Sequence, residues 1–196
     1  MTTVLLVRHG PTEWNELGRI QGRADVDLSP RGRDMVASWQ LPAGWEMARV
    51  LSSPLRRARE TAAILTGRTP ELDERLIEMD WGSFVGRRLS ELRAANPDAM
   101  AANEARGLDF RPPGGESPRE VCARLHALLG ELAEDPQPVI AVCHKGVIRA
   151  AVVLATGWDM QSTPPVRLSR QMACVLSSHP DGRVVLGRPA LLAHAA

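Results

Sequence analysis

Val4-Leu5-Leu6-Val7 is an unbroken apolar run that stops at Arg8-His9-Gly10-Pro11. A run this short, cut off by Gly-Pro, has the length of a strand. Its lack of polar alternation belongs to a strand buried on both faces, as in parallel sheets. A parallel sheet needs helices on both sides, so this one feature predicts an α/β layered fold. Ligands of open α/β sheets bind at the carboxyl ends of the strands, where Arg8 and His9 fall. A buried strand has no packing use for an arginine–histidine pair, so chemistry is the better reading of it.

The rest of the chain alternates in the same way. Ser29-Pro30 predicts a capped helix through Met35, Val36 and Trp39, and Ala48–Leu51 a second strand. Ser53-Pro54 predicts a helix opening, with Leu55, Ala58, Ala62 and Leu65 on one face. Ser117-Pro118-Arg119-Glu120 fits a capping box, followed by the core stripe Val121, Leu125, Leu128 and Leu132. Val139–Val142 is another buried strand, and it too ends at a histidine, His144, before a helix over Val147–Leu154. Met172–Leu176 and Arg183–Leu186 flank Pro180-Asp181-Gly182, a hairpin signal. The polar stretch from about 87 to 115, ending in Pro112-Pro113-Gly114-Gly115, reads as an inserted helical lid within one domain spanning 1–196. Residues 189–196 read as a poorly ordered tail.

Composition removes several classes of function. The 24 basic and 23 acidic residues nearly balance, so no nucleic-acid footprint is expected. Nearly all the basic residues are arginines, Lys145 being the conspicuous lysine. Cys122, Cys143 and Cys174 have neither disulfide nor zinc spacing, which suits a reduced cytoplasmic protein with no metal. The four apolar residues before Arg8 are too few for a signal peptide. No apolar run approaches the ~20 residues needed to span a bilayer. A homodimer is plausible on general grounds.

Two strand ends thus carry histidines on one sheet edge. Between them Ser53-Pro54-Leu55-Arg56-Arg57-Ala58 places arginines at the start of a helix, where anions are attracted. Leu76-Ile77-Glu78-Met79-Asp80-Trp81-Gly82 adds carboxylates beside a glycine-marked turn. Histidines, arginines and a carboxylate on one edge describe a phosphoryl-transfer site that uses no cofactor.

Arg8-His9-Gly10-Pro11-Thr12 with Trp14-Asn15, Gln21-Gly22, Asp27-Leu28-Ser29-Pro30-Arg31-Gly32, Ser53–Thr61, Pro113–Ser117 and Val142–Arg149 resemble, in order, the motifs of the histidine phosphatase (phosphoglycerate mutase-like) superfamily. The resemblance implies a three-layer α/β/α fold with a mostly parallel central sheet and a small helical lid. It implies His9 as nucleophile, Arg8, Arg57 and His144 as the pocket for the phosphoryl oxygens, and Glu78 as proton donor and then base. Asn15, Gln21 and Gly22 would line the phosphate or substrate rim. Mutases of the family carry a longer insertion before the second histidine. The 65 residues between Glu78 and His144 resemble the shorter lid of the phosphatase branch, and the segment Leu76–Asn96, expected to be helical, resembles that of α-ribazole phosphate phosphatases. The implied activity is hydrolysis of a small phosphorylated metabolite; the alternatives are a phosphoglycerate mutase and a non-catalytic phospho-ligand module.

The chain departs from the family where Val85 replaces an acidic residue and where Lys145, here read as a rim charge, replaces a small one. Asp80 rivals Glu78 as the acid. Glu116-Ser117 reads as a helix cap, and Cys143 as a core thiol, since strand neighbours point to opposite faces. His126, His179 and His194 have no partner motif, and the five tryptophans are scattered.

Overall fold

The computed structural model describes residues 1–166 and 169–194. In chain order it contains β1 (Thr2–Arg8), α1 (Glu13–Glu16), α2 (Pro30–Ala37), β2 (Trp39–Gln40), β3 (Arg49–Ser52), α3 (Arg56–Thr66) and β4 (Glu71–Leu72). There follow α4 (Leu89–Ala95), α5 (Pro97–Glu104), α6 (Pro118–Leu132), β5 (Val139–Cys143) and α7 (Lys145–Thr156). The chain closes with β6 (Met172–Ser178), β7 (Val184–Leu186), β8 (Ala190–Leu191) and β9 (Ala193–His194). The main sheet runs β4-β3-β5-β1-β6-β7, with β8 also on β6. Strands β4, β3, β5 and β1 are parallel, and the later strands are antiparallel.

Alternation along β1 and β5 splits the core into two layers. Val4, Leu6, Ala141 and Cys143 face α6 and α7, where they meet Val121, Leu125, Leu128, Val147 and Ala151. Leu5, Val7, Ile140 and Val142 face α2 and α3, meeting Val36, Ala58 and Ala62. Each Val, Leu or Ile among them contributes about 1.5–3 kcal/mol on full burial. The result is the expected three-layer α/β/α arrangement. The α6 capping box forms as expected between Ser117 and Glu120, and Gly182 (φ 81°) turns the hairpin between β6 and β7. No helix among the described residues is long and apolar enough to cross a membrane.

Four local expectations need correction. Helix α2 stops at Ala37 because Ser38 closes its end on the carbonyls of Asp34 and Met35, and buried Trp39 pairs instead with His194 in a small two-stranded sheet. The terminal stretch is not loose over 190–194: Leu192 is buried and its N–H bonds Gln171 O at 2.8 Å, which seats β8 and β9; residues 195–196 lie outside the described residues. Leu76–Asn96 is α-helical only from Leu89, with a single 3-10 turn at Gly82–Phe84 before it, since Gly82 and Gly86 adopt φ of 45° and 81°, which halt a right-handed α-helix. Ser53 does not cap α3. The helix starts at Arg56 with Leu55 at its N-cap, because the Ser53 hydroxyl is engaged elsewhere.

One glycine ties this frame to the loop after β1. A Cβ on Gly32, in the first turn of α2, would lie 2.1 Å from the carbonyl oxygen of Pro11. Ser29 N–H donates to that same oxygen at 3.0 Å. Alanine is favoured over glycine by about 1 kcal/mol on helix propensity alone. Gly32→Ala is nevertheless expected to destabilise, by roughly 1–3 kcal/mol, because backbone must move. Urea unfolding measures this, and a more stable variant would contradict the close packing of α2 on the His9 loop.

Candidate active site

The parallel ladder of β1 and β5 ends with Arg8 opposite Cys143, and the next amide, His9 N–H, donates to Cys143 O at 3.0 Å. That register sets His9 beside His144, with ring centroids 5.1 Å apart and planes tilted by 53°. Both rings are buried. His9 Nδ1 lies 2.6 Å from Gly10 O. A carbonyl only accepts, so Nδ1 carries the hydrogen and Nε2 keeps its lone pair. His144 is held from the other side, its Nε2 lying 2.8 Å from Ser53 Oγ. That hydroxyl accepts Leu55 N–H at 3.3 Å and has its own hydrogen to give to Nε2. The remaining His144 proton then sits on Nδ1, a buried atom with no partner among the described residues and free to donate to an anion.

Arginines surround the rings. Arg57 is fully buried, its Nη1 donating to Ala24 O at 2.7 Å and its Nη2 to Gly22 O at 2.8 Å. Its Nε, like that of Arg8, has no partner among the described residues. Burial lowers Arg57 to about 10, partly offset by Glu78 and Asp25. It still holds its proton at neutral pH. Arg8 is lowered by burial as well, against the pull of Glu78. Burial first, then Arg57 and Arg8, pushes His9 well below the ordinary histidine range, and burial followed by its neighbour His9 and Arg57 does the same to His144. Two neutral imidazoles inside a ring of cations favour an incoming anion.

Glu78 is seated at the first turn of α7. Its Oε1 accepts Met79 N–H at 2.8 Å and Gly146 N–H at 3.1 Å, and Oε2 lies 3.3 Å from the same Gly146 N. A Cβ on Gly146 would fall 2.2 Å from Oε1, so a larger residue there would push the carboxylate off this seat. The rival carboxylate is used differently. Asp80 Oδ1 accepts Gly82 N–H at 2.8 Å, and Oδ2 pairs with Arg23 at 3.8 Å. Glu116 pairs with Arg124 and Arg23.

The remaining rim residues divide. Gly22 (φ 50°) packs against Trp81 and Val85 and supplies a carbonyl to Arg57, so it positions the arginine. Gln21 is buried with Oε1 lacking a partner among the described residues. Asn15 closes the capping box of α1, its Oδ1 taking Thr12 N–H at 3.2 Å. Lys145 is exposed at the start of α7 and lines both adjoining clefts. Three contributors were given no site role by the sequence, although Ser53 and Gly146 lie inside its motifs. Ser53 orients His144, Gly146 seats Glu78, and Arg170 donates from Nη1 to His9 O at 3.0 Å. Burial lowers Arg170 to about 10, with Arg8 repelling it further. Only topology could have exposed Arg170, because it precedes β6, which runs antiparallel beside β1. Among the described residues no three His, Cys, Asp or Glu side chains are grouped as a metal site needs.

The two depressed imidazoles have a measurable consequence. Unfolded, they take up protons below about pH 6.5; folded, they stay neutral. The unfolded state then binds more protons, so stability rises with pH across this window and falls on acidification by up to about 1.4 kcal/mol per pH unit for each ring. Urea unfolding at pH 7.5 and 5.5 is expected to give clearly lower stability at the acid value, with a smaller drop in His144→Asn. A flat profile would contradict the burial of neutral rings.

Comparisons with known proteins show the family. The histidine phosphatase superfamily (branch 1) pattern matches residues 4–188. The chain is 35% identical over 176 residues to the glucosyl-3-phosphoglycerate phosphatase of Mycolicibacterium vanbaalenii, covering 82% of this chain and 77% of that one. It is 34% identical over 141 residues to a probable phosphoglycerate mutase GpmB of Salmonella choleraesuis, covering 70% and 66%. A solved structure of mycobacterial glucosyl-3-phosphoglycerate phosphatase with VO3 superposes with a TM-score of 0.78 at 28% identity over 100% of both chains. The chain belongs to the histidine phosphatase superfamily, branch 1.

Proposed function

We propose that the protein hydrolyses the phosphomonoester of a small metabolite through a phosphohistidine at His9. The observation that carries this reading is the pair of buried, neutral rings 5.1 Å apart, with His9 Nδ1 tied to Gly10 O and the site ringed by arginines. His9 Nε2 attacks phosphorus as the bond to the leaving alcohol breaks. Glu78 gives its proton to that oxygen. Its Oε2, the less engaged of its two oxygens, is the atom placed to do so. Arg8, Arg57 and His144 Nδ1–H take up the charge on the phosphoryl oxygens, the main demand of such a transition state. In the second half, water attacks phosphorus, Glu78 receives the proton, and inorganic phosphate leaves with His9 restored.

The segment 87–115, with α4 and α5, serves as the lid of this site. A cleft of about 670 Å³ opens between it and Glu78, walled by Trp81, Leu89 and Phe110. That volume suits a small organic leaving group. The relative named as a probable phosphoglycerate mutase keeps a second reading open, in which the phosphoryl group returns to substrate. Release of inorganic phosphate from 3-phosphoglycerate supports hydrolysis; isomerisation without release supports the mutase.

The leaving group separates the two proposed roles. His9→Ala is expected to lose at least ~10³-fold in kcat on any ester, as removal of a covalent nucleophile does. Glu78→Gln is expected to lose ~10²–10⁴-fold on an alkyl phosphate. It should lose far less on 4-nitrophenyl phosphate, whose phenolate departs without a proton. Steady-state kcat/KM for both esters, which reports the first transfer and not the shared hydrolysis of the phosphohistidine, checks this, and equal losses in it would remove Glu78 from the acid role.

A further inference from the structure

The site holds more positive charge than a phosphate needs. Arg8, Arg57, Lys145, Arg149 and Arg170 act electrostatically on one another, on the His9–His144 pair or on Glu78. Five cations thus meet Glu78, with Asp25 acting on Arg57 alone, and a phosphomonoester brings only about two negative charges. Arg8, Arg57 and Arg170 lie against His9, and Lys145 and Arg149 have no ion-pair partner among the described residues, Glu78 being the one carboxylate whose field reaches both. The contrast with Arg124 is direct, since that arginine is paired with Glu116 at 2.9 Å.

Their placement says what they face. Lys145 and Arg149 stand one turn apart on α7, on the same side of the helix. Both line the large cleft beside Glu78, and both line a second cleft of about 340 Å³ that reaches from Arg8 past Ile148 and Val152 to Met172. They therefore form the wall shared by the two exits from the phosphate pocket. An alcohol leaving past Glu78 meets them whichever cleft it occupies. Arg149 is pre-oriented, its guanidinium carbon lying 5.0 Å from the centroid of Trp158. Its Nε is buried with no partner among the described residues. A guanidinium stacked on an indole loses little further freedom when it binds an anion.

We propose that Lys145 and Arg149 form a subsite for a second anionic group on the substrate's alcohol, either a carboxylate or a further phosphate. It rests on the phosphomonoester reading above and narrows the substrate to a doubly anionic ester. Partial desolvation by the cleft walls, then repulsion from Arg8 and Arg149, disfavours the charge on Lys145. A bound anion relieves that repulsion.

Binding of non-hydrolysable probes to the full chain tests the subsite without relying on turnover. Butylphosphonate carries the phosphate mimic alone; 4-phosphonobutanoate adds a carboxylate and butane-1,4-bisphosphonate a second phosphonate. By calorimetry, at least one doubly anionic probe is expected to bind tenfold or more tighter than butylphosphonate, and the preferred one identifies the group. Lys145→Met and Arg149→Met are each expected to cut that preference at least threefold. Lys145 is exposed, so its variant stays informative if the Arg149 variant misfolds. Equal affinities for all three probes, or a preference that survives the Lys145 variant, would overturn the subsite. Failure of the matching doubly anionic esters, 4-phosphooxybutanoate and butane-1,4-diyl bisphosphate, to turn over, with the preference intact, would instead sink the hydrolase reading and leave the subsite standing.

Discussion

The structure depends on the register in which β1 lies against β5. Each apolar residue of β1 has a partner on β5, and the ladder ends with His9 N–H on Cys143 O. Strand side chains alternate, so a slip of one residue would send one imidazole to the opposite face of the sheet. The alternating burial against α6 and α7 on one side and α2 and α3 on the other resists that slip, because every apolar side chain of the strand would exchange layers. Core packing and site geometry are therefore one constraint. The 5.1 Å spacing of the rings is a by-product of packing Leu5, Val7, Ile140 and Val142 correctly.

The second feature is the concentration of buried positive charge. Desolvation disfavours the charge on Arg8, Arg57, Arg149 and Arg170, and Glu78 is the carboxylate that answers the first three. Folding sets these cations in place before substrate arrives, Arg57 fixed by the carbonyls of Gly22 and Ala24 and Arg170 by that of His9. Such pre-organisation costs stability in the folded protein and favours the anionic transition state, which needs no reorganisation to be met. The same field keeps both imidazoles neutral, and a neutral His9 is what a nucleophile at phosphorus requires.

Much of this was legible in the sequence. Apolar runs closed by histidines gave the sheet edge, capping signals gave α2 and α6, and the ordered motifs gave the family. What escaped has common physical causes. Ser53 looked like a helix cap because Ser-Pro so often is one; here the hydroxyl bonds a ring 91 positions away, a distance local pattern cannot register. Arg170 carries no motif and acquires its place only from the antiparallel pairing of β6 with β1. Trp39 and Leu192 were assigned by their immediate neighbours, yet each is fixed by long-range burial. Gly22 and Gly146 were seen as motif glycines, while their work is steric: one yields a carbonyl to Arg57 and the other clears room for Glu78. The substrate is written least of all in local pattern, because the clefts are assembled from α4, α5, α7 and the segment before β6.

The central claim is that the register of two strands presents one specific nitrogen to phosphorus. It is tested most directly by rapid alkaline quench during turnover, followed by peptide mapping and ³¹P–¹⁵N correlation on ring-labelled protein. The account predicts a phosphoryl group on Nε2 of residue 9. Phosphorylation at Nδ1, on His144 or on any other side chain would contradict it, as would stereochemical inversion at phosphorus, the mark of direct attack by water.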